Sequence, residues 1–142
     1  MILFDTAPIV AAAFRSEEHY ETCTELFTGL RLAGSRLLLP ATVAAEVGYM
    51  LDRLGGPGRE AGFLKGVSEG SFVPVDLTKA DYARMAQLVE QYDDLRLGTT
   101  DASVIAIAER LGVTEIATLD RRHFTAVRPR HVESFSLLPE RL

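Results

Sequence analysis

The sequence predicts an α/β fold three layers deep, with a central parallel sheet of about four or five strands between layers of helix. Two observations carry that prediction. Short apolar runs alternate along the chain with stretches of helical periodicity. The runs are continuously apolar, as strands buried on both faces require, and do not alternate with polar residues. A third observation bounds the extent. No repeat, low-complexity tract or linker breaks the pattern, and 142 residues suit one domain spanning residues 1–142.

Met1–Phe4 is the first strand, ending at Asp5, and a helix follows it. No basic residue precedes this apolar start, and Asp5 and Pro8 interrupt it, so it does not have the form of a signal peptide. Ser16 is placed to cap a helix to about Leu32, with Tyr20, Cys23, Phe27 and Leu30 on one side. Arg36–Leu39 is the second strand, stopped by Pro40. Thr42 can cap the next helix, in which Val43, Val47, Met50, Leu51 and Leu54 recur at helical spacing. Gly55-Gly56-Pro57-Gly58 forms a turn before a helix to about Glu69. Phe72–Val75 is a strand, and Thr78 caps a helix reaching about Tyr92. Leu95–Leu97 is a short extended piece. Thr99 or Thr100 opens a helix to Leu111, closed by Gly112. Glu115–Thr118 and Ser134–Leu138 complete the sheet.

With 47% apolar residues the chain is globular. The single cysteine, Cys23, excludes an intrachain disulfide and suits the reducing cytoplasm. No apolar stretch is long enough to span a membrane. The formal charge of −5 counts against a generally basic nucleic-acid surface. Its distribution is uneven: from Arg121 to His131 there are four arginines, two histidines and no acid.

Parallel sheets place their ligands beyond the carboxyl ends of the strands. Asp5 stands there, directly after the first strand, although Asp is also a good helix cap. Asp101 opens a helix that is apolar nearly all round and shares a face with Ile105 and Ala108. The helix dipole explains an acid in that first turn, but not one on the apolar face. Glu46 lies at the edge of the stripe centred on Val43, Val47 and Met50, where a half-buried glutamate requires a partner. Asp120 follows the strand ending at Thr118, and alone would be a turn aspartate. Asp93 and Asp94 read as solvated loop acids. Carboxylates gathered this closely repel and raise one another's pKa values. A hard divalent cation such as Mg²⁺ relieves that repulsion. One or two such ions can activate water and stabilise the leaving oxygen of a phosphodiester.

Other chemistries lack their residues. His19, His123 and His131 do not have zinc-ligand spacing, and His123 reads as a surface residue of the turn after Asp120. Neither a glycine-rich phosphate loop nor a Gly-x-Ser-x-Gly elbow is present.

The chain resembles the PIN domains, and among them the VapC-type toxins of bacterial toxin–antitoxin pairs. The resemblance rests on Ile2-Leu3-Phe4-Asp5-Thr6, Pro40-x5-Glu46, Leu97-Gly98-Thr99-Thr100-Asp101-Ala102 and Thr118-Leu119-Asp120-Arg121-Arg122-His123-Phe124, in that order over nearly the whole chain. It implies a Mg²⁺-dependent endoribonuclease, with Mn²⁺ able to substitute, acting on structured RNA such as transfer or ribosomal RNA. By position, Asp5 and Asp101 match the principal metal ligands. Glu46 and Asp120 match the remaining acids, binding directly or through water. Thr118 matches a pocket hydroxyl, and Thr6 a residue beside the first acid. At Ala7 the chain departs from relatives that carry a small polar side chain. The resemblance also implies a homodimer and a cognate antitoxin that plugs the pocket, often with an arginine. Such an antitoxin's helix would need an apolar groove near the pocket, lined in part by Tyr49–Leu64. Arg121 and Arg122 follow Asp120 and are candidate RNA contacts. Two other readings compete. One is a catalytically silent interaction module of the same fold. The other is a phosphoacceptor receiver domain, which would need adjacent acids after the first strand and a late lysine where Asp120 stands.

Overall fold

The computed structural model describes residues 1–142. Its strands are β1 (Ile2–Phe4), β2 (Leu37–Pro40), β3 (Val73–Val75), β4 (Glu115–Ala117) and β5 (Ser136–Leu138). All pair in parallel, in the order β3-β2-β1-β4-β5. Seven helices flank the sheet, giving the three-layer arrangement expected. They are α1 (Thr6–Ala13), α2 (Tyr20–Leu32), α3 (Ala41–Gly55), α4 (Pro57–Ser68), α5 (Lys79–Gln91), α6 (Thr99–Leu111) and α7 (Arg121–Ala126). No helix is long and apolar enough to cross a membrane.

The apolar runs of the sequence become the middle of the sheet. Every residue of β1 and β2 is buried. Phe4 stacks on Phe27 at 4.9 Å between ring centroids and meets Phe72 edge-on at 5.6 Å, which joins β1 to α2 and to the approach of β3. Residues Ala102–Ala108 of α6 are all buried, so that helix lies in the core. The chain winds outward from β1 in both directions, through β2 to β3 and through β4 to β5. The crevice at the carboxyl ends of β1 and β4 is therefore the topological switch point, where open α/β sheets bind ligands.

Three local readings are corrected. α2 begins at Tyr20, not at Ser16. Two successive turns, Glu17 N–H on the Phe14 carbonyl and Tyr20 N–H on the Glu17 carbonyl, occupy the residues Ser16 would have capped. α3 begins at Ala41 straight after Pro40, so Thr42 is already inside it. The Thr42 hydroxyl sits 2.6 Å from that of Ser103 and ties α3 to α6. Leu95–Leu97 is not extended: Asp93–Leu95 make a turn of 3₁₀ helix and Arg96 takes the left-handed conformation at φ 55°.

The Thr78 cap forms as expected, with Asp81 as its reciprocal partner. Asp81 is only 3% exposed and also accepts from Arg110 Nε at 3.1 Å, clamping α5 to α6. Burial alone would raise its carboxyl pKa, but the Arg110 and Thr78 hydrogen bonds outweigh that and hold it below the usual range. A depressed acid stabilises the fold above its unfolded pKa and loses that contribution as pH falls through the folded value. Asp81→Asn is expected to cost about 1–2 kcal/mol at neutral pH, since the half-exposed Arg110 keeps some solvation. Urea unfolding of variant and wild type should converge as the pH drops below about 4. A gap that does not narrow at all as the pH falls would place the effect in packing, not charge.

Candidate active site

Asp5 leaves β1 in extended conformation and caps α1, its Oδ1 accepting from Thr6 N at 2.8 Å. Its Oδ2 accepts from the Thr118 hydroxyl at 2.8 Å, and that hydroxyl accepts from Asp120 N at 2.9 Å. The main chain adds Asp5 N to the Ala117 carbonyl at 2.9 Å. Asp5 is therefore both a helix cap and a crevice acid, fixed from three sides. It is 6% exposed. Burial above all, with the charges of Asp101 and Glu46, raises its pKa to about 6 against the lowering pull of the Thr6 N–H and Thr118 hydroxyl. Thr118 is fully buried behind Asp5, so it orients that carboxylate from beneath and does not face the cavity.

Asp101, in the first turn of α6, is half-buried and also has its pKa raised. Burial is the largest cause; His123 opposes it and Asp120 adds to it. Glu46 is exposed, not half-buried as its place on the stripe suggests. It does have a partner: the Thr100 hydroxyl donates to its Oε2 at 2.9 Å, tying α3 to the first turn of α6. Asp120 caps α7, its Oδ1 accepting from His123 N at 3.0 Å. Asp5, Glu46, Asp101 and Asp120 line one cavity of about 700 Å³ at the switch point. Val10, Ala11, Tyr49, Met50 and Leu119 give it an apolar stretch, and Glu17, Glu18 and His19, which the sequence did not single out for the site, also line it.

His123 is not a surface residue. Its Nδ1 lies 2.7 Å from Asp120 Oδ2 and 3.0 Å from Asp101 Oδ2, off the axis of an ideal hydrogen bond to either. Its Nε2 is 2.8 Å from the Leu95 carbonyl, which can only accept, so Nε2 carries a proton. Burial opposes charging the ring, but the Leu95 carbonyl and the two carboxylates outweigh it and raise its pKa. The imidazole thus sets the spacing of two acids that would otherwise repel. Its place three residues after Asp120, one helical turn on, was the available signal.

The donor set fits a hard divalent cation. Carboxylate oxygens dominate it, and ligand atoms of Asp101, Asp120 and His123 lie within 4.8 Å of one another. Burial is the main cause of the raised pKa values of Asp5 and Asp101, and a bound cation would offset that cost of ionising them.

Residues 2–128 match the PIN domain family. The chain is a member of the PIN-domain family. This PIN domain is 28% identical over 138 residues to the ribonuclease VapC26 of Mycobacterium tuberculosis, covering 97% of this chain and all of that protein. Its fold is that of VapC20, a sarcin–ricin loop cleaving toxin of the same organism, at a TM-score of 0.78 and 16% identity over 94% of this chain and 99% of that one. FitAcB from Neisseria gonorrhoeae is similar at a TM-score of 0.61 and 20% identity over 87% and 91% of the two chains. Family membership removes the receiver reading. Asp93 and Asp94 are exposed, as solvated loop acids should be. Arg122 is exposed, whereas the half-buried Arg121 donates to the Pro139 carbonyl.

Proposed function

We propose that this PIN domain is the toxin of a toxin–antitoxin pair, a metal-dependent endoribonuclease that hydrolyses a phosphodiester bond in structured RNA, transfer or ribosomal. The convergence of Asp5, Glu46, Asp101 and Asp120 on one cavity carries the reading. The relative VapC26, a ribonuclease aligned over all of its length, supports it. Asp5 and Asp101 would hold Mg²⁺, with Glu46 and Asp120 acting directly or through water. When bound, the cation acidifies water and neutralises charge at the phosphate. The chain's own residues prepare the site. The Thr6 N–H and the Thr118 hydroxyl fix both oxygens of Asp5. Thr100 holds Glu46 in place, and His123 separates Asp101 from Asp120. Preorganised ligands cost no rearrangement at the moment of reaction. We expect a homodimer, and an antitoxin as the second partner.

Purified protein should cut structured RNA at discrete positions with Mg²⁺ or Mn²⁺ and not with EDTA. No cleavage under either metal would favour the silent interaction module. Arg122 supports an RNA surface beside the pocket, having no protein partner for its guanidinium. Neutralising Arg122 should lower the slope of log affinity against log salt by about 0.7–0.9. Arg121→Gln should change it less, because Arg121 already serves Pro139. Equal slopes in wild type and Arg122→Gln would make this run ordinary surface.

A further inference from the structure

We propose that Thr6 contacts the substrate, its hydroxyl donating to a non-bridging oxygen of the phosphodiester that is cut. The proposal rests on the nuclease reading and assigns one more residue to it. Thr6 is 7% exposed, yet its Oγ meets no donor or acceptor of the protein. The other buried hydroxyls are all engaged. Thr118 bridges Asp120 N and Asp5, and Ser103 joins Thr42 and the Thr100 carbonyl. Threonines inside helices ordinarily bond the carbonyl one turn back, as Thr24 does to Tyr20 at 2.7 Å and Thr28 to Thr24 at 3.0 Å. Thr6 has no such outlet. It is the first residue of the eight-residue α1, and the turn before it is strand.

An unmade hydrogen bond at a buried hydroxyl needs a reason, and its location supplies one. Thr6 lines the same cavity as Asp5, Glu46, Asp101 and Asp120. It stands at the positive end of α1, which attracts negative charge. Pro8 in the same turn has no N–H, so the turn has fewer main-chain donors and the hydroxyl adds one. In a cavity ringed by carboxylates, a phosphate oxygen needs a donor as well as cations. A neutral hydroxyl gives one without drawing a carboxylate away from the metal.

The test compares Thr6→Val, which keeps the shape and removes the hydroxyl, with Thr6→Ser, which keeps the hydroxyl. Total cellular RNA and Mg²⁺ are used first to map the bond that wild type cuts. A short RNA spanning that bond is then made with either phosphorothioate diastereomer at the cut phosphate. Thr6→Val should slow cleavage about 100-fold, as loss of one donor to a developing oxyanion does. Thr6→Ser should stay within a few-fold of wild type. Wild type should cut one diastereomer more slowly than the other, and Thr6→Val should lose that discrimination, because sulfur accepts the hydroxyl's proton poorly. The metal-free Tm of Thr6→Val should equal or exceed that of wild type, since the variant removes a buried polar atom without a partner. A wild-type rate in Thr6→Val, unchanged diastereomer discrimination, or a lowered Tm overturns the assignment to Thr6. If wild type itself cuts no RNA with Mg²⁺ or Mn²⁺, the nuclease reading falls, and the assignment falls with it.

Discussion

Asp5→Asn and Asp101→Asn are each expected to abolish RNA cleavage while leaving the fold intact. A neutral amide cannot replace a carboxylate at a hard cation, so the rate should fall by at least about 1,000-fold. The fold should tolerate both changes. In Asp5→Asn the new side chain keeps an oxygen for the Thr6 N–H, and its amide faces the Thr118 hydroxyl with donor and acceptor exchanged. In Asp101→Asn the imidazole of His123 keeps its shorter contact, to Asp120 at 2.7 Å. Burial already disfavours the charged form of both acids. Removing either charge should therefore hold or raise the Tm of metal-free protein at neutral pH. Thermal melts with EDTA measure this alongside the cleavage assay. Wild-type cleavage rates in both variants would rule out a mechanism through these carboxylates. A collapse in Tm would instead show that the two acids are structural.

How far the site could be read from the sequence follows from what each residue depends on. β1 and β2 were legible because burial on both faces leaves unbroken apolar runs at Ile2–Phe4 and Leu37–Leu39. Asp101 was legible because an acid on the buried face of α6 contradicts its helix, and the contradiction marks the site. Asp5 had two readings in sequence, cap and ligand, and a single geometry satisfies both. His123 was misread for a physical reason. Its ring is fixed by the Leu95 carbonyl, a main-chain group that has no side-chain signature. That carbonyl is presented by a 3₁₀ turn where the sequence suggested extended chain. Glu46 shows the limit of helical periodicity. One position corresponds to about 100° around a helix, enough to turn an edge residue outward. Only the Thr100 hydroxyl, 54 residues away in sequence, draws it into the site.

Expression of this PIN domain alone is expected to arrest bacterial growth, and co-expression of a cognate inhibitor to restore it. On the proposed reading, an enzyme that cuts essential RNA must be held inactive, and the cavity suits a plug from outside. The cavity combines six acidic residues, Asp5, Glu46, Asp101 and Asp120 with Glu17 and Glu18, and an apolar stretch of Val10, Ala11, Tyr49, Met50 and Leu119. That combination suits a cationic side chain carried on an apolar segment. Tyr49 lines the cavity and is exposed, as are Leu54 and Leu64 further along α3 and α4, and such a segment could lie along these helices. An arginine entering the cavity would pair with Glu46, Asp101 or Asp120, since a desolvated charge needs charged, hydrogen-bonded partners. It would occupy the oxygens that Mg²⁺ requires, so inhibition and metal binding should compete. Three strains make the comparison: wild type, Asp101→Asn, and wild type with the product of the neighbouring reading frame. Only the first should arrest. In the inhibitor, replacing the inserted arginine with alanine should restore RNase activity while the rest of the interface still binds. If wild type is harmless when expressed alone and its purified form has no RNase activity with Mg²⁺ or Mn²⁺, the toxin reading is wrong. The chain is then an interaction module built on a nuclease fold.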